Sequence, residues 1–199
     1  MKKVILVCLI LLGVIVIGFV STYTAHENVM FVDRDGGQSV LYQENEYYPA
    51  PFFTSTKYHN TANEGDVELG WYYSFPFSTR FYSYTSENPV YIYAIESVTG
   101  VYFEQGYDYK SDAYRIDNTS CTIVLSEAVT GAAVKHDYAM DGHGTIKLNL
   151  YSESYPNLKL SIQLFSENNA WYAQLSKTEA YQISESFLDL LEEMGVIEN

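Results

Sequence analysis

TIKLNLY (Thr145–Tyr151) and LKLSIQLF (Leu158–Phe165) alternate apolar and polar residues without a break. Ile146, Leu148 and Leu150 share one face of the first segment, with Lys147 and Asn149 on the other. In the second, Leu158, Leu160, Ile162 and Leu164 oppose Lys159, Ser161 and Gln163. A period of two is that of a strand with one face in a core and one in water, so both segments read as half-buried antiparallel strands. WYAQL (Trp171–Leu175), after the turn residues Ser166-Glu167-Asn168-Asn169, supplies a third strand and completes a meander.

The same rhythm runs back towards the N-terminus. VMFVD (Val29–Asp33) and QSVLY (Gln38–Tyr42) flank Arg34-Asp35-Gly36-Gly37, and Asp-Gly supplies the positive φ of a hairpin turn. Further strands read as ELGWYYSF around Trp71, TRFYSYT around Tyr82, VYIYAI (Val90–Ile95), GVYFE around Tyr102 and AYRI around Tyr114. This spacing predicts a mainly β (α+β) fold, an antiparallel sandwich or open barrel. The period changes at the C-terminus. Phe187, Leu188, Leu191 and Met194 recur every three or four residues, Ser184 suits an N-cap, and Gly195 can close a helix in αL. An amphipathic helix over 184–194, packed on the sheet, follows. Ser126–Lys135, with Ala128, Ala132 and Ala133, reads as a second, weaker helical stretch.

Length and charge set the address. The 199 residues carry 11 Lys+Arg against 25 Asp+Glu, a formal charge of −14. Lys2 and Lys3 precede an unbroken apolar run, Val4–Val20, and the chain from His26 onward holds 9 basic and 25 acidic residues, a net −16. Such a surface repels phosphate backbones, so nucleic-acid binding is excluded. Residues 1–25 read as an uncleaved signal anchor, a single transmembrane helix. The N-terminus is expected in the cytoplasm and residues 26–199 form one extracellular β-rich domain. Secretion after cleavage is the alternative; Tyr23 before Ala25 and Phe19 before Ser21 spoil a small-x-small site. Cys8 sits inside the run and Cys121 beside Ile123 and Val124, so no disulfide forms within the exported part, and Cys121 reads as a small buried hydrophobe.

Catalytic signatures are missing: there is no Gly-x-Ser-x-Gly elbow, His-Glu-x-x-His, Walker loop or dinucleotide fingerprint. His136-Asp137 with Asp141-Gly142-His143 is the densest titratable group, either a polar turn or an acid–base pair of an envelope hydrolase. Asp33-Arg34-Asp35-Gly36-Gly37 begins like a calcium loop but puts Gly37 at the fifth position and Gln38 at the obligatory glycine, so no metal and no cofactor is expected. Asn118-Thr119-Ser120 is a formal glycosylation sequon, of consequence only in a eukaryotic secretory route. Binding character lies in Trp71, Tyr72, Tyr73, Phe75 and Phe77, five aromatics within seven residues, whose rings either fill the core or stack on a sugar or protein partner.

LYQENEYYP (Leu41–Pro49), GDVELG (Gly65–Gly70), NPVYIYA (Asn88–Ala94) and the tail from SYPNLKLSIQLF through WYAQLSKTEAYQISESFLDLL resemble small uncharacterised membrane-anchored or secreted proteins of Gram-positive bacteria. The resemblance implies an address and a fold and brings no catalytic residue. The expected function is a membrane-anchored, non-catalytic module that binds a basic protein or peptide, or a cell-wall glycan; the alternative is the envelope hydrolase.

Overall fold

The computed structural model describes residues 7–17, 29–34, 37–55, 62–74, 77–96, 99–135, 145–176 and 178–197. Among these residues a helix, α1, covers 7–17, and fifteen strands carry the rest of the architecture with two further helices. Contacts divide the chain into two compact units, 1–49 with 64–105 and 50–63 with 106–199. The sequence holds no linker between them because the chain changes unit three times, each time between secondary-structure elements.

The first unit is an antiparallel sheet ordered β1-β2-β3-β8-β7-β6-β5. Its strands are β1 (Val29–Arg34), β2 (Gly37–Tyr42), β3 (Asn45–Pro49), β5 (Val67–Ser74), β6 (Phe77–Ser83), β7 (Tyr91–Glu96) and β8 (Gly100–Glu104). The expected first hairpin is present, with Val29 opposite Tyr42 and Arg34 opposite Gly37. The β2–β3 hairpin turns on Gln43 and Glu44, both at positive φ (49° and 70°), the geometry of a type I′ turn made without glycine. Val29, Val40, Tyr42, Tyr47, Leu69, Phe81, Ile92, Ala94 and Tyr102 form one buried cluster, with Phe31 and Tyr72 packed against it. Phe31 on β1 meets Tyr72 on β5 edge-on, ring centroids 5.2 Å apart, so the sheet curls until its two ends touch through side chains. The expected barrel is realised in this unit as a curled sheet whose β1 and β5 share no ladder among the described residues.

The second unit is built on β10-β9-β12-β13-β14-β15-β11, with β4 (Phe53–Ser55) added to β13. Here β9 is Ala113–Ile116, β10 Thr122–Val124, β11 Val129–Lys135, β12 Ile146–Ser152, β13 Leu158–Glu167, β14 Ala170–Gln174 and β15 Glu179–Ile183. The meander read from the alternation is β12-β13-β14, and Leu158, Leu160, Ile162 and Leu164 are all buried. Their row continues across strands: Ile116 opposes Leu150, Leu150 opposes Leu160, and Leu160 opposes Phe53. At about 2 kcal/mol for each buried Leu or Ile, a one-residue slip of β13 would forfeit about 8 kcal/mol, which sets the register. The hairpin between β13 and β14 turns on Asn168 and Asn169 alone, both at positive φ, a tighter turn than the four residues expected.

Helix α3 (Glu185–Glu193) follows the sequence reading closely. Ser184 Oγ accepts from the Phe187 amide, Phe187 and Leu191 are buried, and Gly195 at φ +66° closes the helix. Its last carbonyls accept from Gly195 N and Val196 N in the pattern of a Schellman cap. The helix expected over Ser126–Lys135 is corrected. Only α2 (Leu125–Ala128) is helical, and Val129–Lys135 is strand β11, paired to β15. β-Branched Val129, Thr130 and Val134 with Gly131 outweigh the alanines once a neighbouring edge offers a ladder.

Among the described residues no helix is long and apolar enough to cross a membrane. The described part of α1 is about 16 Å long at 1.5 Å per residue, and the remainder of the Val4–Val20 run lies outside the described residues.

Candidate functional site

Tyrosine hydroxyls organise the polar interior of both units. In the first, β7 is buried on both faces: Ile92 and Ala94 join the core cluster, while Tyr91, Tyr93 and Ile95 face the other way and are also buried. On that face Tyr82 and Tyr93 stack at 5.8 Å, Tyr93 and Tyr91 at 6.5 Å, and Tyr84 tilts over Tyr91 at 5.3 Å. Four tyrosine hydroxyls of this unit donate to acceptors within it. Tyr93 Oη donates to Asp66 Oδ2 at 2.8 Å, Tyr82 Oη to Glu68 Oε2 at 3.1 Å, Tyr47 Oη to the Pro89 carbonyl at 2.8 Å and Tyr42 Oη to the Ser86 carbonyl at 2.9 Å. Burial, reinforced by the Glu104 carboxylate, pushes the Tyr47 phenol up to about 12; burial likewise raises Tyr42, Tyr82 and Tyr102.

Among the described residues of the second unit, a cluster of titratable groups surrounds the 3-10 turn Tyr109–Ser111. Asp108 caps that turn by accepting from Lys110 N at 3.2 Å and Ser111 Oγ at 2.7 Å. Tyr107 Oη donates to Asp112 Oδ2, closing the segment on itself. Tyr114 Oη donates to the Tyr109 carbonyl at 2.8 Å, and the Tyr109 ring stands edge-on to Phe53 at 5.2 Å. Lys110 Nζ donates to Tyr181 Oη at 3.0 Å and lies 4.5 Å from the centre of that ring. Burial pushes Tyr109 up to about 12, with the Tyr181, Glu179 and Asp108 charges adding to it. Burial raises Tyr107 and Tyr114 further, and the Asp112 carboxylate adds to both. Asp112 itself is raised by burial and by Asp108, against the lowering effect of the Tyr107 hydrogen bond.

Phenols shifted in this direction keep their protons across the physiological range. They can donate hydrogen bonds, but none of them offers the free base or nucleophile that acid–base or covalent catalysis needs. The arrangement closes a loop and orients rings. No buried side-chain nitrogen or oxygen lacks a partner among the described residues, and no group of three or more His, Cys, Asp or Glu comes within reach of a common metal ion among them.

The residues singled out in the sequence are placed as follows. Trp71 and Tyr72 are both half-buried on β5; Tyr72 faces the core at Phe31, and strand alternation sends Trp71 to the opposite face. Tyr73 is the last residue but one of β5 and Phe77 the first of β6, with Tyr73 opposite Ser78 and Ser74 opposite Phe77, while the side chains of Tyr73 and Phe77, and Phe75 altogether, lie outside the described residues. His136, Asp137, Asp141 and His143 lie outside them as well. Glu44, the twelfth position of the imperfect calcium loop, is exposed in the β2–β3 turn. Cys121 is half-buried and Cys8 exposed on α1. Sequence reading missed the Tyr107–Asp112 and Tyr93–Asp66 pairs; a Tyr and an Asp five residues apart across a Tyr-Lys-Ser turn was the one local signal for the first.

No family model, curated protein or solved structure matches this chain.

Proposed function

We propose that this chain is a membrane-anchored extracytoplasmic protein whose β units form a non-catalytic binding module. The observation that carries the reading is the bareness of α1. Val7, Leu9, Ile10, Leu11, Leu12, Val14, Ile15, Val16 and Ile17 are each at least 52% exposed, on every side of the helix. A helix apolar all round with no protein surface against it gains nothing in water; in hydrocarbon each of those side chains is worth about 1.5–3 kcal/mol. Together with Lys2 and Lys3 at its start, the Val4–Val20 run is the anchor, and residues 26–199 lie outside the cytoplasm.

The non-catalytic reading is supported by the work the tyrosines do. The hydroxyls of Tyr42, Tyr47, Tyr82, Tyr93, Tyr107 and Tyr114 donate to carboxylates or carbonyls within their own unit, so these rings serve packing and loop closure. Outward, the exported part carries −16, which over a Debye length of about 8 Å favours fast, salt-sensitive encounters with a basic protein or peptide. Two experiments test this. Protease treatment of intact cells removes residues 26–199 and leaves a membrane-bound stub, and full protection refutes the orientation. Capture from envelope extracts at low and high salt retains a basic partner at low salt only; retention of a neutral glycan, indifferent to salt, refutes the electrostatic reading and returns attention to Trp71–Phe77.

A further inference from the structure

We propose that four stacked tyrosines of the first unit carry a one-electron oxidation inward from its surface and hold it as a shielded radical on Tyr93. The rings run Tyr84, Tyr91, Tyr93, Tyr82, with successive centroids 5.3, 6.5 and 5.8 Å apart and interplanar angles of 25–31°. These are the spacings of packed, offset rings, close enough for an electron vacancy to hop between like groups. Tyr84 is 38% exposed, Tyr91 and Tyr93 1% each and Tyr82 8%. One end of the stack therefore meets water while its middle is dry. Tyr91 also stands edge-on to Phe103 at 6.3 Å, and phenylalanine resists oxidants that attack a phenol, so the vacancy does not pass on through that ring.

Hydrogen-bond polarity sets the direction. A phenol that loses an electron becomes a strong acid, so its oxidation is favoured where a base already accepts its proton. Tyr93 Oη donates to Asp66 Oδ2 at 2.8 Å, and Tyr82 Oη to Glu68 Oε2 at 3.1 Å. Tyr84 Oη instead accepts from the Val90 amide at 3.2 Å, a positive dipole end that opposes removal of an electron. Of the two carboxylate-bonded phenols, Tyr93 has the shorter bond and the deeper burial, and Glu68 Oε2 is shared with Arg80 Nη1 at 3.9 Å. The step balances within the Tyr93–Asp66 pair. A one-electron oxidant, such as a peroxyl radical, is reduced to its anion by an electron arriving through Tyr91 and Tyr84. The Tyr93 O–H bond breaks and its proton moves to Asp66 Oδ2, which leaves a neutral phenoxyl beside a neutral carboxylic acid. That acid donates back to the phenoxyl oxygen, and a one-electron reductant such as a thiol reverses both transfers. A radical on so buried a ring is kept from coupling to another chain as dityrosine. The stack is thus a sink for oxidising equivalents, a role beyond the binding reading and independent of it.

The test is flash oxidation of the full chain in detergent by photogenerated ruthenium(III) tris-bipyridine. Phenoxyl is followed by transient absorption and, after rapid freezing, by electron paramagnetic resonance. The wild type is expected to show a slow-decaying fraction about tenfold longer-lived than the radicals of Tyr93→Phe, a rate difference of the size set by one charge-assisted hydrogen bond. Asp66→Asn keeps an oxygen that accepts the hydrogen bond but cannot take the proton, and is expected to lose the slow fraction as fully as Tyr93→Phe. Intermolecular dityrosine, read by its fluorescence, is expected to rise in both. Tyr84→Phe is expected to lower the yield of the slow fraction and leave its lifetime unchanged, whereas Tyr48→Phe, an equally exposed ring outside the stack, changes neither. Because Tyr84 is a surface ring, that comparison tests the path whether or not a buried variant folds. The absence of a slow fraction in the wild type, its survival in folded Tyr93→Phe or Asp66→Asn, or equal yields in Tyr84→Phe and Tyr48→Phe overturns the proposal. No readout depends on a membrane or a bound partner, so the result is separable from the anchor and binding readings.

Discussion

Replacing Tyr107 by phenylalanine removes one oxygen and leaves the Asp112 carboxylate without the donor that closes the 105–112 segment. A hydrogen bond to a charged group contributes about 1.5–3 kcal/mol net, and Asp112 is only half-buried, so the lower end applies, about 1.5 kcal/mol. For a unit of about 100 residues that is a fall of roughly 6 °C in Tm, read by thermal unfolding at neutral pH. Asp112→Asn separates charge from geometry: its amide oxygen still accepts from Tyr107, and the neutral bond is worth about 0.7 kcal/mol. Tyr107→Phe should therefore cost roughly half as much in the Asp112→Asn background. The pH dependence has a definite sign. The proton affinity of Asp112 is raised in the folded chain, so its contribution to stability is fully present below the unfolded carboxylate value and is lost as pH rises through the folded one. Asp112→Asn should then gain on the wild type at pH 7 and lose that advantage as the pH falls through the acid range. An equal cost of Tyr107→Phe in both backgrounds, or an Asp112→Asn advantage that grows on acidification, refutes the reasoning.

Leu191→Asp places a charge where the leucine is fully buried and should cost about 4 kcal/mol, enough to abolish a cooperative melt of the second unit; an unchanged Tm shows that α3 is not docked. Gly195→Ala meets no atom within 4 Å but must hold φ +66°, so about 1 kcal/mol of destabilisation is expected from backbone conformation alone, and a cost near zero by chemical denaturation refutes the αL cap. Spectrophotometric titration should leave Tyr47, Tyr107, Tyr109 and Tyr114 protonated at pH 11 while the chain is folded, and guanidinium should release them to ionise with the rest; full tyrosinate absorbance in the native state at pH 11 contradicts their burial.

What the sequence made legible follows the range of the interactions involved. Leu158 to Leu164 alternate because one face of β13 must be buried, and that constraint is written residue by residue, so the meander and its register could be read directly. The cap of α3 is equally local: Ser184, Phe187 and Gly195 lie within three turns of one another. Residues 129–135 could not be read in this way. Their alanines favour a helix and their β-branched residues a strand, and the balance is tipped by the edge of β15, some fifty residues later in the chain. The Gln43-Glu44 turn was hidden for a different reason. It takes positive φ at two residues that have no intrinsic preference for it, because the pairing of β2 with β3 holds them there. The division into two units was hidden by β4, which leaves the first sheet's run of strands to pair with β13, a contact spanning about a hundred residues with no marker in composition.

The tyrosines join these two kinds of information. Their number is plain in the sequence, and an excess of rings invites a reading as an exposed binding surface. Their use depends on partners far along the chain: Tyr93 donates to Asp66, Tyr42 to Ser86 and Tyr47 to Pro89, and Tyr181 accepts from Lys110. Once those partners are in place, the hydroxyls of Tyr42, Tyr47 and Tyr93 are engaged and their rings are buried. Exposed surface without charge is left at α1, whose apolar side chains are bare on every side, and at Thr130–Val134 of β11.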